Sequence, residues 1–86
     1  DLTEVGTLIA VAPPIEVADL SFIIGTGKRV ILIAGDRDSY CPAAQIRTLH
    51  KKLKGPNTLW LVRGADHFFA GHEAELIRAI RESLGV

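Results

Sequence analysis

Three apolar runs with little alternation divide the chain, and each is followed closely by a glycine or a proline. They are Val5 to Ala12, Arg29 to Ala34 and Thr58 to Val62. An uninterrupted apolar run of this length is typical of a strand buried on both faces, as strands of a parallel sheet are. The pattern therefore predicts three parallel strands. The expected core side chains are Ile31, Ile33, Leu59 and Leu61, with Trp60 on the opposite face of its strand.

Apolar residues with helical periodicity occur between the second and third strands and again at the end of the chain. Ala43 to Lys54 begins after Pro42, repeats apolar residues three and four positions apart, and ends before a Gly-Pro pair. Glu73 to Leu84 has acidic residues in its first turn and an apolar face. Ile15 to Lys28 predicts an irregular crossover with a short helical turn. The expected apolar face of the last helix consists of Leu76, Ile77, Ile80 and Leu84.

The order of these elements predicts an α/β architecture in three layers, with helices packed on a parallel sheet. In such a sheet the loops that follow neighbouring strands lie side by side at one edge. The loop after the second strand, Gly35 to Cys41, and the loop after the third, Gly64 to Gly71, hold most of the polar, titratable residues between the elements. We therefore expect any chemistry to lie where these two loops meet.

Composition excludes several classes of partner. The 86 residues include ten basic and ten acidic side chains, so no net field attracts nucleic acid or an anionic membrane surface. The single cysteine, Cys41, cannot form an internal disulfide, and no apolar run is long enough to span a bilayer. Cytoplasm is the expected compartment. Because the chain begins at Asp1 and contains no methionine, we expect it to be trimmed or to be part of a longer protein.

The two loops carry a recognisable pair of motifs. The first reads GDRDSYCP from Gly35, which is G-x-x-D with a proline four residues after the second aspartate, and the second reads GADHFF from Gly64. In this order and spacing they resemble the acid and base loops of α/β-hydrolases. Further similarity to a small, lidless bacterial group near the dienelactone hydrolases comes from the stretches APP at residues 12–14, DLSF at 19–22 and HFFAG at 67–71.

The resemblance implies a role for two residues. In the α/β-hydrolases a Ser-Asp-His triad occurs in that chain order, with the serine in a G-x-S-x-G turn. By motif position, Asp38 would be the triad acid and His67 the general base. A carboxylate on one ring nitrogen fixes the tautomer of a histidine base and stabilises its charged form, so the pairing is chemically sensible. The chain contains no G-x-S-x-G.

The resemblance also sets an expectation for the whole chain. Residues 1–86 would form the C-terminal portion of a single α/β-hydrolase domain, with its last three strands, and would lack the segment that supplies the nucleophile. The expected reaction is serine-type hydrolysis of a small-molecule ester, thioester or amide, which needs no cofactor and no metal. The expected partner is the N-terminal part of the same fold, and this chain alone would be inactive.

The same residues allow other interpretations. An aspartate after a strand is often only a turn or cap residue, and an isolated loop histidine is often structural. Asp36 is a rival for the triad acid, whereas Asp66 is expected to brace its loop through backbone N–H groups. Cys41 next to His67 suggests a nucleophile, but packing is the more ordinary role for such a cysteine. The serines, none of which lies in a strand-to-helix turn, are Ser21, Ser39 and Ser83.

Three further alternatives belong to different functional classes. Asp36, Asp38, Asp66, His67 and His72 are metal-type ligands in neighbouring loops, but their spacing matches no known ligand motif. The basic residues suit the last turn of a helix better than a nucleic-acid patch; they are His50, Lys51, Lys52 and Lys54. A non-catalytic module would instead pair, or self-associate, through the exposed edge of the first strand. A G-x-S-x-G upstream in the coding sequence would favour the enzyme over the module.

Overall fold

The computed structural model describes residues 6–15 and 19–86. Strands and helices alternate along the chain as predicted. In chain order the elements are β1 Thr7–Val11, α1 Ser21–Gly25, β2 Arg29–Gly35, α2 Ala43–Lys52, β3 Asn57–Val62 and α3 Glu73–Leu84.

Most predicted boundaries lie within two residues of those observed. The last helix spans the predicted residues, and the crossover contains the expected short helix, α1. The second helix ends two residues early because Leu53 is extended, with ψ 135°, ahead of Gly55 and Pro56. Pro56 cannot continue the helix, because in a helix its ring would clash with the carbonyl of Lys52 four residues earlier. Val5, the predicted first residue of β1, and residues 16–18 of the crossover lie outside the described residues.

The strands form one parallel sheet in the order β1-β2-β3. The central strand is almost completely buried from Val30 to Gly35, and its register places Ile33 between Val11 and Trp60. All three strands therefore point their carboxyl ends to the same edge. The loops after β2 and β3 are brought together there.

Helices cover both faces of the sheet, which gives the predicted three layers. On one face, Ile31 and Ile33 pack with Trp60 and the inner side of α3. The other face carries a second cluster, which includes residues of α1 and α2. Its buried members are Ile23, Val30, Leu32, Ala34, Cys41, Ile46 and Leu49.

The predicted core is confirmed for Ile31 and Ile33, which are fully buried. Leu59 and Leu61 lie on the other face and are only half-buried. Among the described residues β3 pairs on one side only, so its side chains have fewer neighbours than those of β2. The sequence pattern shows that a strand is buried but does not show which strand lies at an edge.

One prediction about the last helix is wrong in part. Leu76 and Ile80 pack against the core as expected, but Ile77 is 56% exposed and Leu84 is also exposed. The most buried residues of α3 are instead Ala79 and Ser83. Small side chains at these positions allow the helix to approach the sheet closely, which rotates the larger Ile77 towards solvent. No helix within residues 6–15 and 19–86 is both long and apolar enough to cross a bilayer.

Candidate active site

The loops after β2 and β3 touch at the carboxyl edge of the sheet because Gly35 has no side chain. A Cβ atom at Gly35 would lie 2.1 Å from the carbonyl oxygen of Ala65. That distance is far inside van der Waals contact, so any other residue would force the loops apart. The glycine of the G-x-x-D motif is therefore required by packing between the loops.

Hydrogen bonds then fix the position of one loop against the other. The backbone N–H of Asp36 donates to the carbonyl of Val62 at 3.1 Å, and that of Arg37 donates to the carbonyl of Ala65 at 3.0 Å. The N–H of Gly64, where the backbone has φ 80°, donates to Asp36 Oδ1 at 2.7 Å. Asp36 thus binds the neighbouring loop, and the structure places it away from the histidine.

The carboxylate of Asp38 is buried and has a partner for each oxygen. Its Oδ1 accepts hydrogen bonds from the backbone N–H groups of Tyr40 at 2.8 Å and Cys41 at 2.9 Å. Its Oδ2 lies 2.8 Å from Nδ1 of His67. Two backbone donors hold the carboxylate in one orientation, so the second oxygen is fixed for the imidazole.

The imidazole of His67 bridges the buried carboxylate and the surface. Its Nδ1 pairs with Asp38, and the His67 side chain is 27% exposed whereas that of Asp38 is fully buried. Within residues 6–15 and 19–86, no hydrogen bond to Nε2 is present. When Nδ1 carries the proton that Asp38 accepts, Nε2 of the neutral ring has a free lone pair. The predicted contact between Asp38 and His67 is present.

The turn that presents His67 is held by the neighbouring aspartate. Asp66 Oδ1 accepts from the backbone N–H of Phe68 at 3.0 Å and of Ala70 at 3.3 Å, as the bracing role predicted. Phe69 has φ 56°, a left-handed backbone that is uncommon for an aromatic residue, and its ring is buried in the core. Burial of that ring stabilises a turn that would otherwise be unfavourable.

Two aromatic rings beside His67 were not predicted as parts of the site. The Tyr40 ring lies with its centroid 4.8 Å from that of the imidazole, and the Phe68 ring lies at 5.2 Å in an edge-on arrangement. Phe68 directly follows His67 and Tyr40 lies two residues after Asp38, and this closeness in sequence is the one signal that could have identified them. Their ring directions depend on loop backbone that the pattern does not specify.

Cys41 has the packing role rather than the nucleophilic one. It is fully buried in the cluster of α1 and α2. Burial, with a smaller contribution from the charge of Asp38, raises the pKa of the Cys41 thiol to about 11. The reactive form of cysteine is the thiolate, so this thiol is a poor nucleophile at neutral pH.

The remaining candidates do not converge on the pair. Ser21 lies in α1, Ser83 is buried on α3, and Ser39 belongs to the acid loop; none is hydrogen-bonded to His67. In residues 6–15 and 19–86, no group of three or more histidine, cysteine, aspartate and glutamate side chains is arranged to hold a metal ion. His72 pairs with Glu75 at 3.3 Å instead of joining the other loop residues.

The resulting geometry is that of an imidazole held in one orientation by a buried carboxylate. A fixed carboxylate holds Nδ1, and Nε2 of the partly exposed ring has no hydrogen-bond partner among the described residues, so a neutral His67 could accept a proton from a group placed at hydrogen-bond distance. The charged ring that results would be stabilised by Asp38.

Solved structures of three bacterial proteins are similar to this chain. One is a protein of unknown function from Agrobacterium tumefaciens, provisionally described as an α/β hydrolase, with a TM-score of 0.88 at 30% identity. An α/β serine hydrolase homologue from Coxiella burnetii has a TM-score of 0.79 at 28% identity. A serine hydrolase without a lid from Xanthomonas campestris has a TM-score of 0.78 at 25% identity.

These matches cover nearly all of this chain but a minority of each neighbour. They include 96%, 92% and 92% of the chain, which corresponds to 40%, 38% and 36% of the respective neighbours. No protein-family model matches the chain, and no curated protein does. The chain therefore has a fold shared with part of the α/β-hydrolases, and its similarity to hydrolases is established at that level.

Proposed function

We propose that this chain supplies the acid and the general base of a serine-type hydrolase that cleaves a small-molecule ester, thioester or amide. His67 is the base, and Asp38 holds it in the working tautomer. The nucleophilic serine and the oxyanion hole come from residues outside these 86. The observation that carries the proposal is the 2.8 Å contact between His67 Nδ1 and a buried carboxylate whose other oxygen accepts two backbone N–H groups.

The proposed reaction proceeds in two stages, the formation of an acyl-serine and its hydrolysis. The serine oxygen forms a bond to the acyl carbon as its proton passes to His67 Nε2, which gives a tetrahedral intermediate. When the bond to the leaving atom breaks, its electron pair stays on that oxygen, sulfur or nitrogen, which takes the proton from Nε2. Water then attacks the acyl-serine by the same route, and the serine oxygen recovers its proton.

A chimaera tests this function. The chain replaces the segment it matches in the Xanthomonas campestris serine hydrolase, and kcat/KM is measured with p-nitrophenyl acetate. We expect turnover that falls by about 10³ to 10⁶ in both Asp38→Asn and His67→Ala, because these groups act as a unit. Matched controls change a histidine and an aspartate outside the two loops, His50→Ala and Asp19→Asn, and should leave kcat/KM within about twofold. Turnover that survives His67→Ala would remove the proposed base.

One observation favours a second candidate function. Among the described residues β1 pairs only with β2, so its outer edge presents unpaired backbone groups. A non-catalytic module would use this edge to bind another copy of the chain. Sedimentation velocity from about 10 μM to 1 mM distinguishes the two: concentration-dependent dimers abolished by Ile9→Pro, together with an inactive chimaera, would favour the module. Proline cannot donate to a strand ladder, so it blocks edge pairing.

A further inference from the structure

Two exposed aromatic side chains from different loops meet at the proposed base. Tyr40 is 58% exposed and follows the acid, and Phe68 is 76% exposed and follows the histidine. Both rings contact the same imidazole, with centroid distances of 4.8 Å and 5.2 Å. Single exposed aromatic residues are common on protein surfaces, but two that converge on one titratable ring require an explanation.

Asp38, which holds His67, and Asp66, which holds the turn of His67, also fix the backbone of these aromatic residues. The N–H of Tyr40 donates to Asp38 Oδ1, and the N–H of Phe68 donates to Asp66 Oδ1. The next residue, Phe69, is buried in the core, so the turn separates one inward phenylalanine from one outward one. The backbone of the loop therefore determines the exposed position of Phe68.

The chemistry of the base determines which part of a substrate meets these rings. A histidine base returns its proton to the leaving atom, which must then lie about 3 Å from Nε2. The leaving group that this atom carries therefore lies next to the imidazole, whereas the acyl group is bound to the serine. Rings in contact with the imidazole therefore meet the leaving group first.

We propose that Tyr40 and Phe68 form a leaving-group subsite that selects a flat aryl group, as in an aryl ester or aryl thioester, over an alkyl group of similar size. This inference rests on the proposed function and names its substrate class. A flat ring can stack on, or meet edge-on, both aromatic side chains, which adds to the stabilisation from buried area alone. A saturated ring gains only the stabilisation that comes from buried apolar area.

Binding rather than turnover tests the subsite, because aryl leaving groups react faster for intrinsic reasons. Phenol and cyclohexanol, which are similar in size, are titrated against the full 86-residue chain while the Cε1–H signal of His67 is followed by NMR. We expect phenol to shift this signal with a dissociation constant about 2- to 12-fold below that of cyclohexanol, the range that one aromatic pair contributes. Equal dissociation constants, or no shift with phenol, would overturn the subsite.

Variants assign the preference to the two rings. Tyr40→Leu with Phe68→Leu keeps apolar area but removes both rings, so phenol should lose its advantage. Tyr40→Phe with Phe68→Tyr keeps the rings and should retain it, and both side chains are exposed enough to be changed without disturbing the core. Phe22→Leu, at an exposed phenylalanine on α1, is the matched control and should change nothing. A phenol preference that persists in the double leucine variant would place the binding elsewhere.

The two proposals can fail separately. An active, His67-dependent chimaera whose parent chain shows no phenol preference would overturn only the aryl subsite. A chain that binds phenol at Tyr40 and Phe68 but gives a chimaera without His67-dependent turnover would overturn the hydrolase instead.

Discussion

At the scale of single residues, Asp36 and Asp38 show how two aspartates in one loop acquire different tasks. Asp38 is buried and faces the imidazole, whereas Asp36 is exposed and accepts the N–H of Gly64 from the neighbouring loop. The second interaction does not touch the proposed reacting atoms. It sets the distance between the loop of the acid and the loop of the base, so Asp36 is a positioning residue.

Two substitutions of Asp36 should distinguish the contribution of its side-chain oxygen to stability from that of its negative charge. Asp36→Asn keeps a side-chain oxygen that can accept from Gly64, so we expect little change in the free energy of unfolding. Asp36→Ala leaves that N–H without its partner and should cost about 1 kcal/mol. Urea denaturation monitored by Trp60 fluorescence measures both. If the alanine variant were as stable as the asparagine variant, the loops would be held together by the backbone hydrogen bonds alone.

Cys41 gives a prediction about pH. Its folded-state pKa is raised to about 11 from an ordinary 9.0, so the folded protein favours the neutral thiol. The contribution of this group to stability is therefore complete below pH 9 and is lost as pH rises towards 11. We expect the free energy of unfolding of the wild type to fall relative to that of Cys41→Ala across this interval.

Alkylation provides a second measurement on the same thiol. Iodoacetamide at pH 8 should modify Cys41 slowly in the folded chain and rapidly in 8 M urea, because only unfolding exposes the sulfur. Fast modification of the native chain, or parallel stability curves for the wild type and Cys41→Ala, would show that the thiol is accessible. The role of Cys41 as a nucleophile would then have to be reconsidered.

At the scale of elements, the residue pattern of α3 predicts the bounds of the helix but not its buried face. The bounds of the helix follow from its acidic first turn and the glycine after it, which adopts φ 75° as a helix end often requires. The buried face does not follow, because the size of the apolar side chains does not determine which side of the helix meets the sheet. The most buried residues are Ala79 and Ser83, whose small side chains allow close packing, and Leu76 and Ile80 pack beside them against the core.

Substitutions at two neighbouring residues of α3 test which face of the helix is buried. Leu76→Ala should lower the free energy of unfolding by about 1–2 kcal/mol, since the half-buried leucine packs against the core. Ile77→Ala, its matched control at an exposed position, should change it by less than about 0.5 kcal/mol. Equal losses from both substitutions would mean that the exposed side of the helix is covered in solution.

The two loops mark the limit of prediction for the candidate site. The pairing of Asp38 with His67 could be predicted because parallel strands bring their following loops to one edge. The contacts of Tyr40 and Phe68 with the imidazole could not, since they depend on a loop backbone that is held by hydrogen bonds to Asp38 and Asp66. Whether the pair is catalytic stays a prediction.

At the scale of the whole molecule, the chain holds the proposed base but no serine in contact with it. None of the serines is hydrogen-bonded to His67, and the reaction proposed above requires one. We therefore expect the 86 residues alone to release p-nitrophenol from p-nitrophenyl acetate no faster than the His67→Ala variant, apart from the slow reaction of any imidazole. Rapid turnover by the wild-type chain that His67→Ala abolishes would show that a nucleophile within the chain had been overlooked.

The most direct test of the central claim, that Asp38 holds His67 as an oriented base, is the tautomer of the His67 ring. Nitrogen-15 NMR of the neutral imidazole distinguishes a protonated Nδ1 from a protonated Nε2. We predict that Nδ1 carries the proton in the wild type and Nε2 is free, and that Asp38→Asn shifts the population towards the other tautomer, whereas Asp19→Asn leaves it unchanged. A wild-type ring protonated at Nε2, or a tautomer indifferent to Asp38→Asn, would contradict the account.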